Sequence, residues 1–363
     1  MPNRCGSNSI FSHWTKCQPL GYIGYKAKTG GRMQSVAYFF LILLMFLASP
    51  TSAAAQAQPF TLRYGQIPST VKTVSALPFH IAGRKGFFSR EGVDLKIILI
   101  EGGAANMVIA LSQGSVDITR TATPYLIQDV LKGSDNVAIL GETATPIYSL
   151  IVRPEIKSFA QLKGKTIGLS LAVDTISIST RKLLAMNGIY ESDFKVKELV
   201  GTPARADCLK KAECDAVPLG QPEDFQLIDQ GYHRLGVSTD AMSNFQFIVS
   251  AVRRAWASKN RESLLAYARA LAGAYRYMRD PAKRDEIVAL VSETTGTSPA
   301  IARQTLQLYF EPERGVFPKQ GEIDVKGFNE VIRVMGEAGE LKAPLPAAER
   351  FIDLQYLKAA GLQ

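Results

Sequence analysis

Residue types able to do covalent or metal chemistry are scarce in this chain. Beyond residue 57 there are two cysteines, Cys208 and Cys214, and two histidines, His80 and His233. A cysteine nucleophile needs a base beside it, and neither histidine is close to either cysteine in sequence. Two histidines with no Cys/His cluster do not make a transition-metal site. No G-x-S-x-G elbow, phosphate loop or dinucleotide fingerprint occurs. The chain instead gathers hydroxyl, amide and carboxylate groups where strands give way to helices: Ser69 and Thr70, Thr121 and Thr123, Ser170 with Asp174 and Thr175, and Gln221. Such groups hold a small molecule by hydrogen bonds, and helix N-termini at the same turns add free N–H donors and about half a unit of positive charge. Serine, threonine and aspartate there are equally natural helix caps, so each has two readings. Tyr148 and Gln221 are expected at a rim that closes over a ligand, and Phe79 or Phe245 is expected to supply an apolar wall.

The elements that must position these groups alternate. Strands are expected at 60–67, 93–100, 116–121 and 137–142, with helices at 79–88 and 104–113 and one opened by Pro124. The alternation restarts with strands at 149–153, 166–170, 195–200, 214–219 and 232–237. A short helix at 158–162 and helices starting near Asp174, Pro203 and Pro222 intervene. Strands alternating with helices predict an α/β fold with largely parallel sheets. Residues 111–118, Leu-Ser-Gln-Gly-Ser-Val-Asp-Ile, and 209–216, Leu-Lys-Lys-Ala-Glu-Cys-Asp-Ala, keep Leu and Asp at one spacing. Each lies where a helix ends and a strand begins, which suggests two lobes of similar build. After an apolar strand at 245–252, helices are expected at 260–280, 283–293, 298–310 and 324–339. A helical tail packing back on the first lobe needs two crossings, near 144–149 and 240–247, and paired crossings make a hinge over a cleft. The expected division is therefore 58–146 and 245–363 in lobe I, with 147–244 as lobe II.

The net charge of +9 over 363 residues overstates the basic character of the folded part. Arg4, Lys16, Lys26, Lys28 and Arg32 lie within 1–57, which holds no acid, and the remainder carries 37 basic against 33 acidic residues. That balance, with no basic stripe interleaved with aromatics, argues against nucleic acid as a partner. Within 1–57 a basic stretch precedes thirteen uncharged residues, Val36 to Ala48, then Pro50 and small residues to Ala55-Gln56-Ala57. This is the pattern of a signal peptide, with translation starting at Met1 or at Met33. Thirteen residues span only about 20 Å, short of a hydrocarbon core of about 30 Å. Export would place Cys208 and Cys214 in an oxidising compartment, where they are either disulfide-bonded or two small core residues.

Three segments carry a resemblance. They are Leu77-Pro-Phe-His-Ile-Ala-Gly-Arg-Lys-Gly-Phe-Phe-Ser-Arg-Glu-Gly-Val-Asp-Leu, the stretch Gly103 to Asp117, and Ser158-Phe-Ala-Gln-Leu-Lys-Gly-Lys-Thr-Ile-Gly. Together they resemble the periplasmic binding proteins of nitrate, sulfonate and taurine importers, related to the NMT1/THI5-like proteins, across residues 60–340. The resemblance implies a periplasmic binding protein type 2 fold. It implies a small-molecule ligand, an ABC permease and ATPase as membrane partners, a monomeric receptor without cofactor or metal, and no enzymatic activity. Relatives that are enzymes, a pyrimidine-precursor synthase and a desulfinase, keep an enzyme on the same fold open, as does a sensor for a membrane signalling protein. No Arg or Lys falls within the four turns, and alternation along the strand points Arg120 away from the face of Thr121. This departs from what a tight anion site would use and turns attention to heterocycles, amides and aromatic acids. N-terminal sequencing of the exported protein is expected to read from Gln56 or Gln58. A product that retains 36–48 would mean an uncleaved anchor.

Overall fold

A computed structural model describes residues 58–242, 244–310 and 315–362; the expected signal peptide lies outside them. Two five-stranded sheets organise this part of the chain. The first is built by β1 (Phe60–Gln66), helix α1 (Leu77–Arg84), β2 (Val93–Leu99), α2 (Ala104–Ser112), β3 (Ile118–Ala122), α3 (Thr123–Leu131) and β4 (Asn136–Thr143). The chain then enters the second sheet with β5 (Ser149–Val152), β6 (Thr166–Leu169), α4 (Thr175–Met186), β7 (Lys195–Glu198), α5 (Thr202–Lys210), β8 (Ala216–Leu219), α6 (Glu223–Asp229) and β9 (His233–Val237). It returns to the first sheet as β10 (Ile248–Arg253) and ends in α7 (Arg261–Arg279), α8 (Arg284–Thr295), α9 (Pro299–Tyr309) and α10 (Val325–Glu337), with short helical turns between. The strand expected at 245–252 thus begins at Ile248, because Phe245 to Phe247 belong to the crossing.

The strand orders, β2-β1-β3-β10-β4 and β7-β6-β8-β5-β9, correspond position by position. In each sheet the strand that arrives by a crossing is antiparallel to both neighbours: β10 against β3 and β4, β5 against β8 and β9. The inner strand β3 and the strand β4 are covered on both faces and are buried at every residue. Helix α7 closes one face. Its Leu264, Tyr267, Leu271, Tyr275 and Met278 recur at helical spacing and are fully buried. The C-terminal segment seals the outer edge of β4, with Ala138 N–H donating to Phe351 C=O at 2.9 Å and Asp353 N–H to Ala138 C=O at 2.8 Å. That covers an edge strand that would otherwise offer free backbone groups.

The two short sequence copies are one structural device used twice. Asp117 and Asp215 each donate a backbone N–H to the strand at the middle of a parallel trio, to Arg63 C=O of β1 and Thr166 C=O of β6, both at 2.8 Å. Each carboxylate also accepts the backbone N–H of the same partner at 2.9 Å. Both turns need one left-handed residue, Gly114 at φ 76° in the first and Ala212 at φ 57° in the second. Cys208 and Cys214 flank the second turn and form a disulfide, with Cα atoms 5.3 Å apart; both sulfurs sit in the core of the second sheet. A left-handed L-residue costs about 1–2 kcal/mol, set against the entropy glycine loses on folding. Ala212→Gly is therefore expected to raise unfolding stability by about 0.5–1 kcal/mol in urea titration. A loss of stability would show that the strain is relieved elsewhere.

Candidate ligand-binding cleft

The carboxyl ends of the strands in both sheets open into one cleft of about 180 Å³, the place where open α/β sheets bind ligands. Five helix N-termini reach it, those of α2, α3, α4, α5 and α6, through Gly103–Ala104, Ala122, Asp174, Thr202 and Glu223. Four of these helices, all except α4, begin without a side-chain cap. The two sheets approach closely here: a Cβ on Gly103, at φ 82°, would lie 3.5 Å from Val200 on the opposite side. Val108, Ala122 and Tyr125 from the first lobe pack with Ile176 from the second in one apolar cluster.

Of the residues anticipated for the site, Ser69, Thr70, Thr121, Tyr148, Ser170, Asp174 and Gln221 line the cleft. Asp174 meets both of its readings. It caps α4, accepting the Ile176 N–H at 3.1 Å and the Ser170 hydroxyl at 2.7 Å, and it also forms part of the wall. Burial pushes its carboxyl up, and those hydrogen bonds pull it partly back. Tyr148 is pushed up to about 12 by burial and remains a neutral phenol.

Four anticipated residues are elsewhere. Phe79 is buried in the first-lobe core with its ring 4.6 Å from that of Tyr64, because it lies on the inward face of α1. Phe245 is core as well, 1% exposed. The aromatic wall comes instead from Tyr148, Phe247 and Tyr309, with Phe247 edge-on to Tyr148 at 6.0 Å. The Thr123 hydroxyl donates to Phe247 C=O at 3.1 Å and ties down the second crossing. Thr175 is fully buried behind Asp174, since the first helical residue turns away from the opening.

The cations were the principal omission. Arg120 lines the cleft together with Thr121, contrary to the alternation argument. Alternation sets where Cβ points, not where the end of a long side chain arrives. Its guanidinium lies 3.4 Å from Glu142 and 3.3 Å from the Ser75 hydroxyl. Glu142 is in turn held by Tyr64 at 2.9 Å and Ser250 at 2.6 Å. Burial pushes the Glu142 carboxyl up and Arg120 counters it. Arg205, on the first turns of α5, is also in the wall and has no exposed surface. It donates to Pro218 C=O at 2.7 Å, to Leu199 C=O at 3.2 Å and to the Thr202 hydroxyl at 3.2 Å. Among the described residues no carboxylate lies within ion-pair distance of it; burial lowers its pKa, and Asp174 and Glu223 in the same wall counter that from longer range. The signal for it in the sequence is Gly201-Thr202-Pro203, a fifth strand-to-helix turn of the same kind as the other four.

His80 hydrogen-bonds the Val71 carbonyl at 2.9 Å and His233 lies beside Lys157; neither lines the cleft. Among the described residues no group of three or more His, Cys, Asp or Glu could hold a metal ion.

Two α/β lobes joined by two crossings, with a cleft at their strand ends, define a periplasmic-binding-protein fold, and solved structures agree. The ligand-binding component of an ABC-type import system from Staphylococcus aureus superposes with a TM-score of 0.69 at 13% identity, covering 84% of this chain and 99% of that one. The periplasmic nitrate-binding protein NrtA from Synechocystis PCC 6803 superposes at 0.68 with 16% identity, covering 84% and 89%. YtlA of Bacillus subtilis (strain 168), named as a binding protein, is 22% identical over 321 residues, 84% of this chain and 91% of its own length. The family model for NMT1/THI5-like proteins matches residues 74–284, and the chain belongs to that family.

Removing one partner of a buried ion pair leaves the other charge uncompensated at about 3–5 kcal/mol. Glu142→Ala is expected to lose that much stability by chemical denaturation, and Arg120→Met on that background is expected to restore most of it. No recovery in the double variant would mean that Glu142 serves the tyrosine network rather than Arg120.

Proposed function

We propose that this chain is an extracytoplasmic solute-binding protein of an ABC importer, which captures a small anionic organic molecule between its lobes and delivers it to a membrane permease. The observation that carries the anionic part is Arg205, a fully buried guanidinium in the cleft wall with no carboxylate in ion-pair range among the described residues. A buried charge is costly unless paired, and an anion in the cleft would pair it. The helix N-termini around the cleft add partial positive charge of the same sense. Arg120 adds little, since Glu142 already matches its charge. The importer role rests on family membership and on relatives named as binding proteins or import components. The four turns at Ser69–Thr70, Thr121–Thr123, Ser170–Thr175 and Gln221 hold no Arg or Lys of their own; the cation that favours an anion comes from α5.

Capture works by closure. A ligand favours the closed arrangement only through contacts it makes better there, and here the wall comes from both lobes. Micromolar binding needs about −8 kcal/mol in total. Hydrogen bonds contribute about 1 kcal/mol net each, so Tyr148, Phe247 and Tyr309 are assigned much of the remainder as apolar contact. An enzyme on this fold is disfavoured by the disulfide, which leaves no free thiol among the described residues, and by the absence of histidine from the cleft wall.

The test is thermal and chemical unfolding of protein from Gln58 onward, stripped of ligand by refolding, against sulfonates, nitrate, bicarbonate, carboxylic acids, pyrimidines and amines. A ligand at a hundred times its dissociation constant adds about 2.7 kcal/mol. Stabilisation by anions without turnover is the expected result; stabilisation by cations alone, or turnover of any hit, would overturn the reading. Arg205→Gln separates binding from folding. It is expected to weaken the best anion about tenfold or more while changing the stability of the free protein by only about 1–2 kcal/mol, because removal of a buried charge offsets the donors lost to Pro218 and Leu199.

A further inference from the structure

The apolar interior of the second lobe forms two clusters of its own, and that of the first lobe forms one. A further cluster belongs to neither lobe alone. It joins Val108 of α2 and Ala122 and Tyr125 at the start of α3 to Ile176 at the start of α4. The half-buried Leu171 and Val173, from the loop between β6 and α4, pack against it, as do Ala104 and Ala105 of α2.

Helix α4 carries the same junction on its own surface. Every residue from Thr175 to Thr180 is buried, whereas a helix resting on one lobe alone keeps a face toward water. Ile176 enters the shared cluster, and Ile178 packs into the cluster that forms the first lobe's core. Past Thr180 the ordinary pattern returns, with Leu183 and Leu184 in a second-lobe cluster and Ala185 and Met186 exposed. The start of α4 is thus enclosed by both lobes and its end by one. Two polar contacts between the lobes flank it: Lys182 Nζ lies 3.9 Å from Glu330 of α10, and Gln226 Nε2 donates to the Thr297 hydroxyl at 3.5 Å. All of these join chain to chain, so they form whatever the cleft holds.

We infer that the loop 170–174 and the start of α4 are a clasp, which holds the lobes together in the ligand-free receptor and makes its resting arrangement the closed one. Opening the hinge parts Leu171, Val173 and Ile176 from Val108 and Tyr125 and returns their apolar surface to water, which is unfavourable. The half-exposed Lys182–Glu330 pair adds little beside that. The clasp therefore supplies part of the closure that a ligand would otherwise have to drive, and a ligand enters only through the open minority. This concerns the free protein and does not depend on the charge of the ligand.

The test is the distance between nitroxide labels on Ile109→Cys in α2 and Met186→Cys at the end of α4, measured by pulsed electron paramagnetic resonance on protein stripped of ligand by refolding. Both positions are exposed, and the disulfide keeps Cys208 and Cys214 from taking label. The expected result is a majority population at the separation these helices have in the closed arrangement. Val173→Asp places a charge in the junction at a half-buried loop position that does not line the cleft. It is expected to move the majority to longer distances with the circular dichroism spectrum unchanged, because a carboxylate there is solvated only when the lobes part. Longer distances dominating in the ligand-free protein without the clasp substitution would overturn the closed resting state. A short distance that persists in Val173→Asp would overturn the assignment of the clasp to this loop. Either result leaves the solute-binding reading of the cleft in place. Should Val173→Asp fail to fold, Leu171→Ser, a milder change at the same junction, decides the second point in the same way.

Discussion

Everything in the cleft depends on two stretches of chain crossing side by side between the sheets. The first runs from the end of β4 at Thr143 to the start of β5 at Ser149, the second from the end of β9 at Val237 to the start of β10 at Ile248. Backbone and hydroxyl groups tie them together. Ser238 N–H donates to Tyr148 C=O at 2.8 Å, Tyr148 N–H to the Ser238 hydroxyl oxygen at 2.9 Å, and Phe247 N–H to Ala144 C=O at 2.8 Å. Because both crossings feed the antiparallel strands of their sheets, bending there moves whole lobes rather than single loops. Several cleft residues, Thr143, Thr145, Tyr148 and Phe247, are themselves part of the crossings, so whatever fills the cleft touches the hinge directly.

Charge in the cleft is arranged with one cation in a direct ion pair and one without. In the first lobe Arg120 is matched by Glu142, and the glutamate is embedded among Tyr64, Ser250 and, through Ser250, Tyr267 at 2.9 Å. That network is satisfied without a ligand, as a buried polar cluster must be to stay ordered. In the second lobe Arg205 is held by two backbone carbonyls and a threonine hydroxyl, which fix its direction, and Asp174 and Glu223 act on its charge only from beyond ion-pair distance. The first arrangement builds the floor of the cleft and the second leaves it reactive to charge. Asp174 and Glu223 sit in the same wall, and the Asp174 carboxylate is directed to the start of its own helix.

The paired aspartates show how the two lobes come to resemble one another. Asp117 and Asp215 each clamp the strand at the middle of a parallel trio, and the turn before each is closed by a left-handed residue. In the second lobe a disulfide spans that turn. Its short loop adds a constraint of about 2 kcal/mol on the unfolded chain in the entropic account. The turn thus has a covalent brace where it lacks the glycine of its counterpart.

The sequence by itself determined the alternation of strands and helices, the two crossings within a few residues, and the strand ends that face the cleft. All of these follow from local periodicity, proline and glycine positions, and capping preference, which act over a few residues. It also placed Asp174 as a cap and Ser170, Thr121 and Gln221 at the cleft, because those residues sit where a strand must end. Tertiary structure alone decided which aromatics face the opening. Phe245 and Phe247 are two residues apart, yet one is core and the other wall, since the crossing between them and β10 is not a regular strand. It alone decided the cations as well: Arg120 and Arg205 reach the cleft through long side chains whose ends are positioned by Glu142, Pro218 and Leu199, partners 22, 13 and 6 residues away. Whether Cys208 and Cys214 join was likewise a matter of distance across a turn. Local rules specify the backbone's path; where a long side chain ends and whether its charge is matched depend on residues that only folding brings together.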